Sequence, residues 1–240
     1  PLGEAPGAYD RLVEGSVQGG SIVLDYGHHE VSRARVTLVN ERASAPRGTP
    51  RVGALGAGAF AHGTLFPALE RAGPLELRTV VSAGSIHATR SAKRFGFARA
   101  STDPKDVLDD PDVDLVLIAT RHSTHAALAS RALRAGKHVF VEKPLALTHE
   151  ELADVVRAAN GSGRILQVGF NRRFAPMVVR MREHFAARTD PLLITYRVSA
   201  PALPPDHWSR DAAEGGRILG EVCHFVDTIR SIARAPPVRV

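Results

Sequence analysis

Gly56, Gly58 and Ala61 fall at G-x-G-x-x-A spacing within Gly56-Ala57-Gly58-Ala59-Phe60-Ala61. That spacing suits a pyrophosphate. The first glycine permits a tight turn, the second lets the backbone approach the phosphates, and a small third residue lets helix and strand pack closely. Ala59 and Phe60 open the helix that follows, whose free N–H groups and partial positive charge favour an anion. Gly56, Gly58, Ala59 and Phe60 are therefore expected to bind a dinucleotide cofactor. Such a motif arises by chance in Ala- and Gly-rich sequence, and its weight here comes from its place between a strand and a helix. An acid at the end of the next strand would hold the ribose hydroxyls of NAD. The chain instead reads Val81-Ser82-Ala83-Gly84-Ser85. Ser82, with Arg90 nearby, suits a 2′-phosphate, which puts NADP slightly ahead of NAD. Arg90 reads equally well as a solvated helix residue.

These residues need a scaffold, and from position 51 the pattern supplies one. Strands are predicted at 51–55, 77–81, 114–120, 137–141 and 164–168, and helices at 60–72, 86–95, 104–108, 124–135 and 148–159. Gly96 and Gly136 stand at natural helix ends. Thr148, with Glu151 three residues on, has the form of a capping box. The run DLVLIAT at 114–120 is continuously apolar, as in a strand buried on both faces. Strands alternating with helices predict an α/β fold, a Rossmann-type doubly wound parallel sheet. After Gly169 the tempo changes. A helix at 174–187, an alternating strand at 191–199, a PALPP loop and a helix from Gly215-Gly216 to 233 predict the start of a truncated α+β substrate domain. The expected division is an extension and linker at 1–49, a dinucleotide-binding domain at 50–170 and an incomplete substrate-binding domain at 171–240. Within the extension, a helix at 8–14, strands at 21–26 and 32–40 and a linker at 41–50 are expected.

Composition removes several classes. The chain has 240 residues, 44% hydrophobic and 23% charged, with a net charge of +6. Arginine carries most of the positive charge without a run of five like charges, and aromatics are only 5%. Little is left to stack bases on, so no nucleic-acid partner is expected. No apolar run approaches the ~18 residues of a membrane span. A single cysteine, Cys223, excludes a disulfide framework and a multi-cysteine zinc site, and reads as a small buried hydrophobe. His28-His29, His62 and His207-Trp208 lack partners, so no metal is expected. They read as loop or surface residues, with a substrate-loop role open to His207 and Trp208. With no leader pattern, a cytoplasmic setting is expected.

Three further segments carry a resemblance. They are Thr120-Arg121-His122-Ser123-Thr124-His125, then Ala135-Gly136-Lys137-His138-Val139-Phe140-Val141-Glu142-Lys143-Pro144, then Gly169-Phe170-Asn171-Arg172-Arg173-Phe174. Together they resemble the Gfo/Idh/MocA family of NAD(P)-dependent oxidoreductases, whose pattern runs roughly TPNxxH, AGKHVxxEKP and a YNRRF-like segment. The resemblance covers about residues 51 to 235, and AGKHVFVEKP is its most specific part.

The resemblance implies roles residue by residue. Thr120, His122 and His125 would belong to the cofactor cleft, with Arg121 in place of the usual proline. Glu142 and Lys143 match the EKP motif and would meet the cofactor, and Lys143, near the nicotinamide and the substrate hydroxyl, would relay the proton. Gly215 to Asp227 resembles the family's GGGxxxDxGxHxxD helix, which makes His224 the active-site histidine. The family aspartate four residues earlier falls on Gly220, with Glu221 adjacent as a substitute. A core histidine satisfied by Asp227 is the other reading of His224. Asn171, Arg173 and His224 would meet the substrate, although arginine pairing with an acid at the domain junction is an equal reading.

The implied activity is hydride transfer between nicotinamide and a hydroxyl or carbonyl carbon of a sugar, polyol or sugar derivative. A non-catalytic dinucleotide-binding fragment, or a redox-sensing module, is the alternative. The N-terminal segment is similar to the tail of zinc-type medium-chain alcohol dehydrogenases, which implies a fusion cut at both ends. It also predicts apolar surface on the last strand and helix without a partner in this chain. A complete second domain would offer a surface for a homo-oligomer.

Overall fold

The structure, a computed structural model, describes residues 4–16, 22–23, 25 and 48–239. The strands expected at 21–26 and 32–40, His28-His29 and most of the linker lie outside the described residues. Residues 1–35 and 36–240 form two compact units. In the first, α1 (Ala5–Val13) begins earlier than the expected 8–14, with Pro6 in its first turn. Proline suits that position because the first-turn N–H groups have no helical partner anyway.

The second unit is built on β1 (Arg51–Leu55), β2 (Glu76–Val81), β3 (Arg99–Ser101), β4 (Leu115–Ile118), β5 (His138–Val141) and β6 (Leu166–Val168). The strands are parallel throughout, in the order β3-β2-β1-β4-β5-β6. That order is the Rossmann order, and its reversal falls between β1 and β4. Leu55 pairs with both Val81 and Ile118, so the three central strands end level. The turns that follow them converge on one crevice. The helices are a segment running through Ala61–Leu65 into α2 (Phe66–Arg71), then α3 (Ser85–Phe95), α4 (Lys105–Leu108), α5 (His122–Arg134) and α6 (His149–Ser162).

Side chains alternate across the sheet. Val116 and Ile118 of β4 join Ala129 and Leu133 of α5 and Val155 of α6 on one face. Leu117 joins Phe66 of α2 and Ala92 of α3 on the other. All are nearly fully buried. Each large aliphatic side chain removed from water contributes about 1.5–3 kcal/mol. At the opposite edge from the crevice, Arg51 holds Asp112 and Asp114, and Arg78 and Arg99 share Asp110. These arginines are therefore occupied within the protein.

Local signals explain the boundaries. Gly96 and Gly136 take φ of 80° and 73° at their helix ends. The Thr148 hydroxyl accepts from the Glu151 N–H, while the Glu151 carboxylate accepts from Leu147 rather than from Thr148, one residue before a standard box. Among the described residues, no helix is long and apolar enough to cross a membrane.

The tail of the unit departs from expectation. The helix expected at 174–187 is a short turn, Asn171–Phe174, followed by α7 (Pro176–His184). Pro176 forces the break, since the residue before a proline is pushed out of the helical region; Ala175 has ψ of 136°. The strand expected at 191–199 is irregular. No strand lies beside it among the described residues, so its N–H and C=O groups have no ladder to join. The last helical segment runs through a π-turn, Ile218–Val222, into α8 (Cys223–Ala233). Leu193 of the irregular stretch and Ile218 and Val226 of the last helical segment are exposed.

Candidate active site

The glycine turn sits at the end of β1. Gly56 has φ of 101°, and its N–H donates to the Val81 carbonyl at 2.8 Å. A Cβ there would overlap the Ala119 carbonyl of the turn after β4. Only glycine meets both conditions. Gly58 differs: an ideal Cβ at Gly58 meets nothing within 4 Å. Its backbone therefore faces open space, as an approaching phosphate requires. Ala61 is buried beneath the turn.

That space is a cavity of about 730 Å³. Gly56, Gly58, Ala59, Phe60, Ser82 and Thr120 line it, as the sequence predicts. Arg121, Thr102, Leu128 and Trp208 line it as well, and sequence reasoning placed none of the four there. The one available signal was that Arg121 directly follows the strand at the sheet's reversal. Arg90 is exposed and does not line the cavity. Among the described residues no carboxylate lines it, and the one full charge there is the Arg121 guanidinium. Volume, glycine backbone and electrostatics all fit a nicotinamide dinucleotide.

Trp208 comes from far along the chain. Its ring lies 4.3 Å from the Arg121 guanidinium and meets His122 edge-on at 4.8 Å. His207 caps the short turn that carries it. A few residues on, the Glu214 carboxylate accepts from the N–H and hydroxyl of Ser123 at 3.2 and 3.0 Å. The segment 207–214 is thereby fastened to the start of α5. His62, expected at the surface, is instead half-buried in a helical turn, with Nε2 2.5 Å from the Ser91 hydroxyl.

His122, His125 and Glu142 are buried and do not line the cavity. His125 places Nδ1 2.8 Å from the Pro144 carbonyl and Nε2 3.3 Å from the Thr120 carbonyl. It ties the cavity wall to the turn bearing Lys143. Burial holds both imidazoles below the usual histidine range. Burial also pushes the Glu142 carboxyl up to about 7. It is enclosed so tightly that a Cβ on Gly169 would lie 2.6 Å from its Oε1.

Lys143 donates from Nζ to the Gly220 carbonyl at 2.7 Å. Glu221, the expected substitute for the family aspartate, is bound by Arg217 at 2.9 Å. His224 is buried against Phe170, and its Nδ1 has no hydrogen-bond partner among the described residues. Burial, helped by the nearby Lys143 and Arg172 charges, lowers its pKa to about 4. Asp227 does not satisfy it. Asp227 is gripped by both ends of the Arg173 fork, with Nε at 2.9 Å. Asn171 is exposed in the turn before α7. Cys223 is half-buried, and burial raises its thiol pKa.

A crevice lined by the glycine turn at the reversal of a Rossmann sheet marks a dinucleotide-binding scaffold. The family described as "Oxidoreductase family, NAD-binding Rossmann fold" (GFO_IDH_MocA) matches residues 50–170. The chain belongs to the Gfo/Idh/MocA family. It is 32% identical over 192 residues to 1,5-anhydro-D-fructose reductase of Ensifer adhaerens, covering 78% of this chain and 57% of that protein. It is 31% identical over 194 residues to levoglucosan dehydrogenase of Pseudarthrobacter phenanthrenivorans, covering 75% and 50%. Among solved structures, GenD2 from gentamicin A biosynthesis, in complex with NAD, superposes with a TM-score of 0.70 at 30% identity, over 84% of this chain and 58% of that one. The chain thus spans about half the length of the relatives it matches.

Proposed function

We propose that this chain carries the cofactor half of an NAD(P)-dependent dehydrogenase or reductase acting on a hydroxyl or carbonyl carbon of a sugar, polyol or sugar derivative. The observation that carries the proposal is Lys143 Nζ held on the Gly220 carbonyl, two residues beyond β5, with the unpartnered Nδ1 of His224 four residues after Gly220. Relatives named for anhydrofructose and levoglucosan support the substrate class. Gly56, Gly58, Ala59 and Phe60 hold the pyrophosphate side, with Ser82 at the adenosine ribose and Thr120 on the nicotinamide side. When bound, the nicotinamide supplies the hydride chemistry.

Lys143 exchanges the proton with the substrate oxygen from Nζ. His224, uncharged at neutral pH, offers Nδ1 to a substrate hydroxyl. Asn171 meets the substrate from the adjoining turn. His122, His125 and Glu142 act by positioning: His125 fixes Thr120 relative to Pro144, and Glu142 seats the Lys143 backbone. Arg173 orients Asp227 beneath His224. Residues 171–240 then begin the substrate half. NADP is favoured over NAD, since no carboxylate lines the cavity to repel a 2′-phosphate.

The test is a titration with NADPH and NADH beside Lys143→Met and Gly58→Asp variants, followed by turnover on a polyol panel. Lys143→Met should keep binding and lose turnover by 10²-fold or more, on the order of general acid–base contributions. Gly58→Asp should lose binding. Turnover retained in Lys143→Met would refute the assignment. Dinucleotide binding without turnover is the second reading. It is favoured by Gly220, which leaves Lys143 on a neutral carbonyl with no carboxylate partner.

A further inference from the structure

Away from the dinucleotide cavity, α7 and the end of α8 enclose a second one, of about 370 Å³. Arg173, Arg182, Arg230, Ser231 and Arg234 line it, and no acidic residue does. Arg173 is neutralised by Asp227. Arg182, Arg230 and Arg234 form no ion pair or hydrogen bond through their side chains among the described residues; Arg182 is half-buried, and Arg230 and Arg234 are exposed.

The end of α8 does not account for three guanidinium groups without a partner among the described residues. A helix C-terminus carries about half a negative charge. Arg188 already donates to the Ala233 carbonyl there at 2.8 Å. Arg234 is also the one non-glycine residue with positive φ among the described residues, at 56°. A C-terminal residue in that conformation is ordinarily glycine. An arginine is thus held at a glycine position, beside like charges that repel it.

We propose that this cavity binds a compact polyanion, a phosphate or pyrophosphate group borne by a small molecule. Guanidinium forks match phosphate oxygens two at a time, and the bonds are charge-assisted. Ser231 adds a neutral donor. The volume admits a small phosphorylated molecule and not a dinucleotide with its cavity-filling rings. Bound anion would also relieve the repulsion among the three arginines.

The probe is inorganic pyrophosphate, titrated calorimetrically at a fixed ionic strength of about 0.15 M to separate binding from screening. Because pyrophosphate is also the group expected at Gly58, the titration is run on the unaltered chain, on Gly58→Asp and on Arg234→Gly. Glycine suits φ of 56°, so Arg234→Gly removes the cation without disturbing the backbone. Arg182→Ala is the second variant. The expected result is saturable binding tighter than about 1 mM, kept in Gly58→Asp and weakened about tenfold in each arginine variant. Absence of saturable binding overturns the proposal. So does binding lost in Gly58→Asp and kept in Arg234→Gly and Arg182→Ala, since the anion then occupies the glycine turn. The dinucleotide reading is judged separately by NADPH titration, which the arginine variants leave unchanged.

Discussion

Lys143 Nζ reaches across 77 residues of sequence to the carbonyl of Gly220. Gly220 lies in the π-turn before α8, and turns of that kind recur at functional sites. The space its side chain would fill is taken by His122, whose Cε1 lies 2.9 Å from an ideal Cβ. His122 is in turn held by Nδ1 at 3.0 Å from the Glu214 carbonyl. One glycine therefore serves two neighbours, the lysine through its backbone and the histidine through its missing side chain.

Gly220→Ala should disturb both. The added methyl must move His122 or the π-turn, an overpacking cost of about 1–3 kcal/mol. The urea midpoint should fall, and any turnover should fall with the displaced carbonyl that holds Lys143. An alanine variant with unchanged midpoint and turnover would show that the glycine is incidental.

Gly56 and Gly58 should separate stability from binding. Gly56→Ala places a side chain at φ of 101° and against the Ala119 carbonyl, so the sheet's central turn must open. It should lose more than about 1 kcal/mol of stability, the scale of a glycine replaced where φ is positive. Gly58→Ala meets open space and should leave the unfolding midpoint within about 0.5 kcal/mol of the unaltered chain. It should weaken NADPH binding instead. Chemical denaturation and cofactor titration on the same pair of variants decide the matter.

The sheet and its glycine turn were legible because their signals are local. DLVLIAT reads as a doubly buried strand, and the structure puts β4 at the centre. β3 escaped notice because three residues, Arg99, Ala100 and Ser101, show no periodicity. The strand expected at 191–199 alternates correctly, but a strand exists only beside another strand, and pairing is not a property of one segment. Trp208 entering the cavity and Glu214 fastening to Ser123 depend on contacts across about ninety residues, which no spacing rule reports. Arg173 was open between substrate and ion pair, and the structure gives it Asp227, 54 residues on, the acid that the sequence offered to His224 instead.

Glu142 and His224 should pull stability in opposite directions with pH. The Glu142 pKa rises from 4.5 to about 7 in the folded chain. Between those values the folded state holds the proton and the unfolded state does not, so stability falls as pH rises, with the full loss above 7. Glu142→Gln removes that loss. The variant should be more stable than the unaltered chain at about pH 8, by up to about 3 kcal/mol, and the difference should shrink towards pH 4.5. The His224 pKa falls from 6.5 to about 4, so its contribution is present above 6.5 and is lost on acidification towards 4. In the unaltered chain the two slopes oppose each other between 4.5 and 6.5. Glu142→Gln should therefore uncover a loss of stability on acidification. Parallel pH profiles for the two chains would contradict the Glu142 assignment, and a Glu142→Gln profile that is flat from 6.5 to about 4 would contradict that of His224.

Trp208 provides the most direct report on the dinucleotide cavity. It is the only tryptophan of the 240 residues, and it lines the cavity beside Arg121. Its indole emission overlaps the absorption of reduced nicotinamide, and the ring itself lines the cavity proposed for the cofactor. Binding of NADPH or NADH should quench Trp208 and produce energy transfer to the nicotinamide. Trp208→Phe should abolish the transfer while keeping an aromatic wall. Arg121→Ala removes the cation held at 4.3 Å and the one full charge of the cavity, which should weaken binding by about 0.5–2 kcal/mol. Full quenching in Gly58→Asp, where the pyrophosphate is excluded, would place the nucleotide elsewhere. Quenching lost in Gly58→Asp and kept in Arg182→Ala would tie the tryptophan, the glycine turn and the cofactor to one site.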